Sequence, residues 1–104
     1  MSYHIVSGSV TAKGETLSGE GFTVTPVTDR VGTFDVVFDY GWWFVEPPAV
    51  VATQVYPGTN DPMIVNTLAN VIILNTAKDQ FRIETGAPNG KPLARGFSFI
   101  AAGI

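Results

Sequence analysis

Val31-Gly32-Thr33-Phe34-Asp35-Val36-Val37-Phe38-Asp39 alternates with a period of two. Phe34, Val36 and Phe38 fall on one face, and Asp35, Val37 and Asp39 on the other. Successive side chains of a strand point to opposite faces, whereas a helix brings its apolar residues round every third or fourth position. The segment therefore reads as a strand with one dry and one wet face. Thr28-Asp29-Arg30-Val31-Gly32 before it has the composition of a hairpin connection. Upstream again, Gly21 to Val27 places Phe22, Val24 and Pro26 on one face and Thr23, Thr25 and Val27 on the other. Because Pro cannot donate to a sheet ladder, Pro26 marks an edge strand or a strand end.

Downstream, Pro47-Pro48 launches Ala49 to Tyr56, whose opening residues are apolar on both faces, which predicts a strand in the middle of a sheet. Pro57 to Pro62 ends it. Val71 to Thr76 and Phe81 to Thr85 are two more strands, joined across Ala77-Lys78-Asp79-Gln80 at hairpin spacing. Gly86 to Pro92 reads as a loop, and Ala94 to Ala101 as a last strand with Phe97, Phe99 and Ala101 on one face. A first strand lies within Tyr3 to Thr11. Six to seven short strands at intervals of roughly 10–15 residues, with no helical pattern, predict an all-β antiparallel sandwich.

The 104 residues (11.1 kDa) make one domain, 1–104, because a second core would need roughly 100 residues more. A chain of this mass buries roughly 65% of its unfolded surface, enough to fold without staples. Only 14% of residues are charged, about half the usual share, and such a surface favours self-association. With no cysteine, disulfides, thiolate nucleophiles and Cys-based metal sites are excluded. Six Lys and Arg against nine Asp and Glu, with no basic run, give no footprint for nucleic acid. No apolar run approaches the ~20 residues that span a bilayer, and Met1-Ser2-Tyr3-His4 does not open a signal peptide. The expectation is cytoplasmic synthesis, with a virion or extracellular destination left open.

The chemistry-bearing groups are scattered. Asp35 and Asp39 lie roughly 13 Å apart along their strand, too far to share a proton or a metal ion. Thr59-Asn60-Asp61 offers oxygen ligands with one carboxylate, and reads as turn chemistry rather than a calcium site. Gly14, Gly19 and Gly21 punctuate turns without the strand-to-helix context of a phosphate cradle. His4, the single histidine, reads as a solvated residue near a terminus. No catalytic residue, metal or cofactor is expected, and the chain is expected not to be an enzyme. Tyr40-Gly41-Trp42-Trp43-Phe44 stands out, since four rings in five positions cannot all enter one core. Exposed Trp and Tyr serve as subunit contacts or as platforms for ligand rings, offering large rigid area at small entropic cost. Lys91 and Arg95, flanking the Asn89-Gly90 turn, add cationic donors or are simply solvated. The candidate ligand-binding residues are accordingly Tyr40, Trp42, Trp43, Asn89, Lys91 and Arg95.

The order Gly8-Ser9-Val10, Gly21-Phe22, Phe34-Asp35-Val36-Val37-Phe38, Phe44-Val45-Glu46-Pro47-Pro48-Ala49-Val50-Val51 and Phe97-Ser98-Phe99-Ile100-Ala101-Ala102-Gly103 resembles two groups of proteins. One is the H-type lectin domain of snail agglutinins and discoidin. The other is the receptor-binding or C-terminal module of phage tail fibres, with its Phe-x-Phe-Ile-Ala-x-Gly ending. The resemblance covers nearly the whole chain and rests on strand and turn residues. It implies a six-stranded sandwich, a homotrimer or higher homo-oligomer, and N-acetylgalactosamine-type sugars bound between subunits. The family's sugar-contacting arginine falls near Ile72, and its Trp-His pair near Pro88-Asn89, so those residue types are not matched here. A sugar site would have to be rebuilt from Asn89, Lys91 and Arg95 or from the Trp42-Trp43 loop. The expected function is a non-enzymatic oligomeric module that binds a glycan or other cell-surface ligand. The alternative is a structural fibre, capsid-decoration or scaffold component with no small-molecule ligand.

Overall fold

A computed structural model of the chain describes residues 2–55, 68 and 70–104. Eight strands run through them, with no helix: β1 (His4–Val10), β2 (Thr16–Gly19), β3 (Phe22–Pro26), β4 (Thr33–Phe38), β5 (Ala49–Val55), β6 (Val71–Thr76), β7 (Gln80–Thr85) and β8 (Gly96–Gly103). They form two four-stranded sheets, β2-β1-β8-β5 and β3-β4-β7-β6, with every pairing antiparallel. The chain is thus an all-β antiparallel sandwich.

The alternation in Val31–Asp39 fixes the core. Phe34, Val36 and Phe38 of β4 are buried, beside Phe81 and Ile83 of β7. Across the layer stand Val6 and Val10 of β1 and Phe97, Phe99 and Ala101 of β8. All seven phenylalanines are buried. Their rings meet edge to face or tilted, Phe81 on Phe99 at 5.0 Å, Phe22 on Phe99 at 5.0 Å and Phe34 on Phe97 at 5.4 Å, the arrangements that the ring quadrupole favours. Pro26 is the last residue of β3, and β3 is an edge strand, so the missing N–H costs no ladder bond.

Two expectations need correction. β5, read as a central strand, is at the edge of its sheet, and among the described strands it pairs only with β8. Its run is apolar on both faces because the outer face is exposed apolar surface, with Val51 at 66% exposure, rather than because two layers cover it. β2 was not expected at all. Its four residues Thr16-Leu17-Ser18-Gly19 are all exposed and carry no alternating apolar set, so only main-chain pairing to β1 makes them a strand. Tyr56 and the Pro57–Pro62 break, with Thr59, Asn60 and Asp61, lie outside the described residues.

Candidate functional site

Residues 39–48 leave β4 and cross to β5 at one end of the sandwich. The loop begins with a tight turn in which the Trp42 N–H donates to the Asp39 carbonyl at 2.9 Å. Gly41 sits at the third position of that turn with φ +96°, a conformation that favours glycine. The turn sends consecutive rings to different places. Trp42 is half-buried and packs against the core cluster. Its indole lies so close over Gly21 that a Cβ there would sit 2.4 Å from the ring. Phe44 is buried and caps the core, stacked on His4 at 4.0 Å with the rings 14° from parallel. Trp43 stays half exposed, and its Nε1–H donates to the Phe38 carbonyl at 3.0 Å. That bond fixes the indole plane at low entropic cost. Tyr40, 89% exposed, meets the Trp43 ring edge to face at 5.4 Å.

Trp43 is a wall between two hollows. One, of about 510 Å³, is lined by Ser2, His4, Gly41, Trp42, Trp43, Val45 and Ile104. The other, of about 340 Å³, is lined by Trp43 with Ala77, Lys78 and Asp79. Both are shallow and open to solvent, shaped to take the face of a ring rather than to enclose a molecule. The second hollow exists because the β6–β7 hairpin is tied to the aromatic loop, with the Phe44 N–H donating to the Lys78 carbonyl and the Phe38 N–H to the Asp79 carbonyl. One indole therefore has His4 and Ser2 on its more polar side, and a mostly apolar shelf formed by the Ala77–Asp79 turn on the other.

His4, Lys78 and Asp79 did not stand out in the sequence. His4 is no solvated terminal residue: it belongs to β1, is registered against Gly103, and its Nε2 lies 3.3 Å from the Trp42 carbonyl. The signal for it was the strand phase, which puts His4 on the same face as Val6, Gly8 and Val10.

The six candidate binding residues divide between the two ends of the molecule. Tyr40, Trp42 and Trp43 adjoin the end of β8 at Gly103, whereas Asn89, Lys91 and Arg95 lie in the loop that enters β8 at Gly96. The eight residues of β8 span roughly 24 Å, so the two sets cannot contact one small ligand together. In the second set the Asn89 side chain accepts from the Lys91 N–H at 3.0 Å, which makes it a turn residue. Lys91 lines a shallow hollow of about 490 Å³ with Arg30 and Glu84, and the half-buried Arg95 donates its main-chain N–H to the Thr85 hydroxyl at 3.1 Å.

The acidic residues are engaged separately. Asp35 receives two bonds from Arg82 across the β4–β7 pair, at 2.7 and 3.0 Å, and Asp39 accepts from the Thr23 hydroxyl at 3.1 Å. The hydrogen bond to Asp35, and its charge, hold the Arg82 guanidinium above its ordinary pKa. Among the described residues no three His, Asp or Glu side chains converge as a metal would require, and no helix is long and apolar enough to cross a membrane. Compared with known proteins, the chain matches no family model, no curated protein and no solved structure.

Proposed function

We propose that the chain is a non-enzymatic, homo-oligomeric β-sandwich module that binds a glycan, or another cell-surface ligand with a hydroxylated ring, against Trp43. The observation that carries this reading is the indole itself: half exposed, fixed by its bond to Phe38, and standing between two hollows. A rigid aromatic face receives the apolar side of a sugar ring, while His4 and Ser2 bring donors and acceptors to its hydroxyls. The separate engagement of Asp35 and Asp39 supports a binding role over paired-carboxylate catalysis. The resemblance to H-type lectins and phage-fibre modules supports it as well, and would make the oligomer a trimer.

Glycan-array screening tests the reading, followed by saturation-transfer NMR on any sugar retained. The wild-type chain should retain a sugar whose ring protons receive saturation from Trp43, and Trp43→Ala should abolish retention with the far-UV spectrum unchanged. A wild-type chain that retains no glycan, or a Trp43→Ala variant that binds as well as wild type, refutes the proposal. The second reading, a structural assembly component without ligand, is favoured by the β2-β1-β8-β5 sheet, whose four strands contain no Asp, Glu, Lys or Arg.

A further inference from the structure

The two sheets present very different outer faces. On the β3-β4-β7-β6 sheet, Asp35 pairs with Arg82, Glu84 reaches Arg30, and Gln80 stands opposite Val37, so charge runs along β4 and β7 and breaks up the exposed Val37, Ile72 and Leu74. On the β2-β1-β8-β5 sheet, no residue of any of the four strands is Asp, Glu, Lys or Arg. The registers bring Ile5, Ala102 and Ala49 into one outward row and Ser7, Ile100 and Val51 into the next. Ile5 is 60% exposed, Val51 66% and Ile100 48%. In the row beyond, one of Ser9 and Ser98 donates its hydroxyl to the other, Oγ to Oγ at 2.7 Å. Exposed apolar residues occur singly on any protein, but three branched aliphatics in adjacent rows on an uncharged sheet form a patch. A groove of about 290 Å³, lined by Val51, Phe99 and Ile100 among others, runs through it.

We infer that a second copy of this chain covers the outer face of the β2-β1-β8-β5 sheet. A partner with a charged surface would have to desolvate its ions there without receiving a counter-charge, which costs more than the contact returns. An identical face brings no ions to desolvate and matches row for row, the self-complementarity that symmetric oligomers use. The size fits a modest association. Strands of four, seven, eight and seven residues at ~3.4 Å per residue and ~4.8 Å spacing make a face of about 420 Å², so a pair seals about 850 Å², below the ~1,200 Å² of most stable complexes. The contact is therefore weak and concentration-dependent. Such a face-to-face contact is two-fold and closes on a pair; a three-fold ring would set the face against a different surface of its neighbour. The inference rests on the oligomeric half of the proposed function and is independent of the ligand half.

Sedimentation of the full chain, followed up to roughly 500 µM as a weak interface requires, tests it. The wild-type mass should rise above 11.1 kDa with concentration, while Val51→Lys and Ile100→Lys stay at 11.1 kDa with wild-type circular dichroism. Val37→Lys, on the charged face of the other sheet, should associate as wild type does. A wild-type chain that stays at 11.1 kDa throughout overturns the inference. So do face variants that associate like wild type, or a Val37→Lys variant that falls apart with them. Glycan retention by the Val51→Lys monomer is read separately, so failure of the ligand site and failure of the interface give different results.

Discussion

Thr85 ties together the end of the sandwich opposite the aromatic loop. Its buried hydroxyl lies 2.6 Å from the Leu93 carbonyl and 3.3 Å from that of Gly32, and accepts the Arg95 N–H at 3.1 Å. Its own N–H donates to the Gly32 carbonyl at 2.7 Å. Thr85→Val keeps the shape and deprives the Leu93 carbonyl and the Arg95 N–H of this partner, while the Gly32 carbonyl keeps the main-chain N–H of residue 85, a loss of about 1 kcal/mol. At about 4–8 °C per kcal/mol for a domain of this size, calorimetry should show a clear fall in Tm; an unchanged Tm would rule the pin out. The Asp35–Arg82 pair is partly exposed and adds less. Because the folded-state pKa of Arg82 is raised, its contribution is fully present below the ordinary guanidinium range and is lost only above it. Removing it by Asp35→Asn should therefore lower Tm by the same small amount at neutral and at mildly alkaline pH; a difference that grows between the two would contradict the assignment. Gly21 and Gly41 separate collision from backbone strain. Both have positive φ, but a Cβ at Gly21 would strike the Trp42 ring, whereas one at Gly41 meets nothing within 4 Å. Urea unfolding should show Gly41→Ala losing about 1 kcal/mol and Gly21→Ala clearly more, with altered Trp42 fluorescence only in the latter.

At the scale of elements, legibility followed side-chain alternation. β4 and β7 bury one face and wet the other, so their phase was open to reading, and Phe34, Val36, Phe38, Phe81 and Ile83 entered the core as their spacing implied. β2 has no such phase, because it is held by main-chain bonds at a sheet edge and its side chains are all exposed. β5 misled for the opposite reason: two apolar faces suggest two covering layers, and the chain itself supplies one. The aromatic loop was legible as a surplus of rings, but their division was not. That division depends on the positive φ of Gly41 and on contacts with Gly21 and the β6–β7 hairpin, all remote from the pattern of the loop. It carries a prediction. Trp42→Ala removes a ring packed on the core and should cost stability, about 3 kcal/mol or more if the gap does not close. Trp43→Ala leaves the fold near wild type and removes the proposed binding face. Thermal melts run beside glycan retention decide it, and a Trp43 variant that loses as much stability as the Trp42 variant would make Trp43 a structural residue.

The whole molecule keeps two surfaces apart. The Trp43 hollows lie at the end where β4 leaves the core, while the uncharged sheet face lies along β1, β8 and β5; His4 and Ile5, consecutive in β1, point one to each. Surfaces that share no side chain should act independently for one ligand and jointly for many. A soluble monovalent sugar reports only the hollow, so Val51→Lys should bind it with wild-type affinity by calorimetry. A surface dense in the same sugar reports copies acting together, because the second hollow of an assembled pair binds at the effective concentration set by the first. Such linkage raises apparent affinity by roughly 10²–10⁴ without a new contact, provided the geometry lets both sites engage. Biosensor dissociation from a dense sugar surface should therefore be at least tenfold faster for Val51→Lys than for wild type at concentrations where wild type associates. Equal dissociation rates would mean that the copies do not present their hollows in the same direction, and the low charge of the chain would then serve assembly alone.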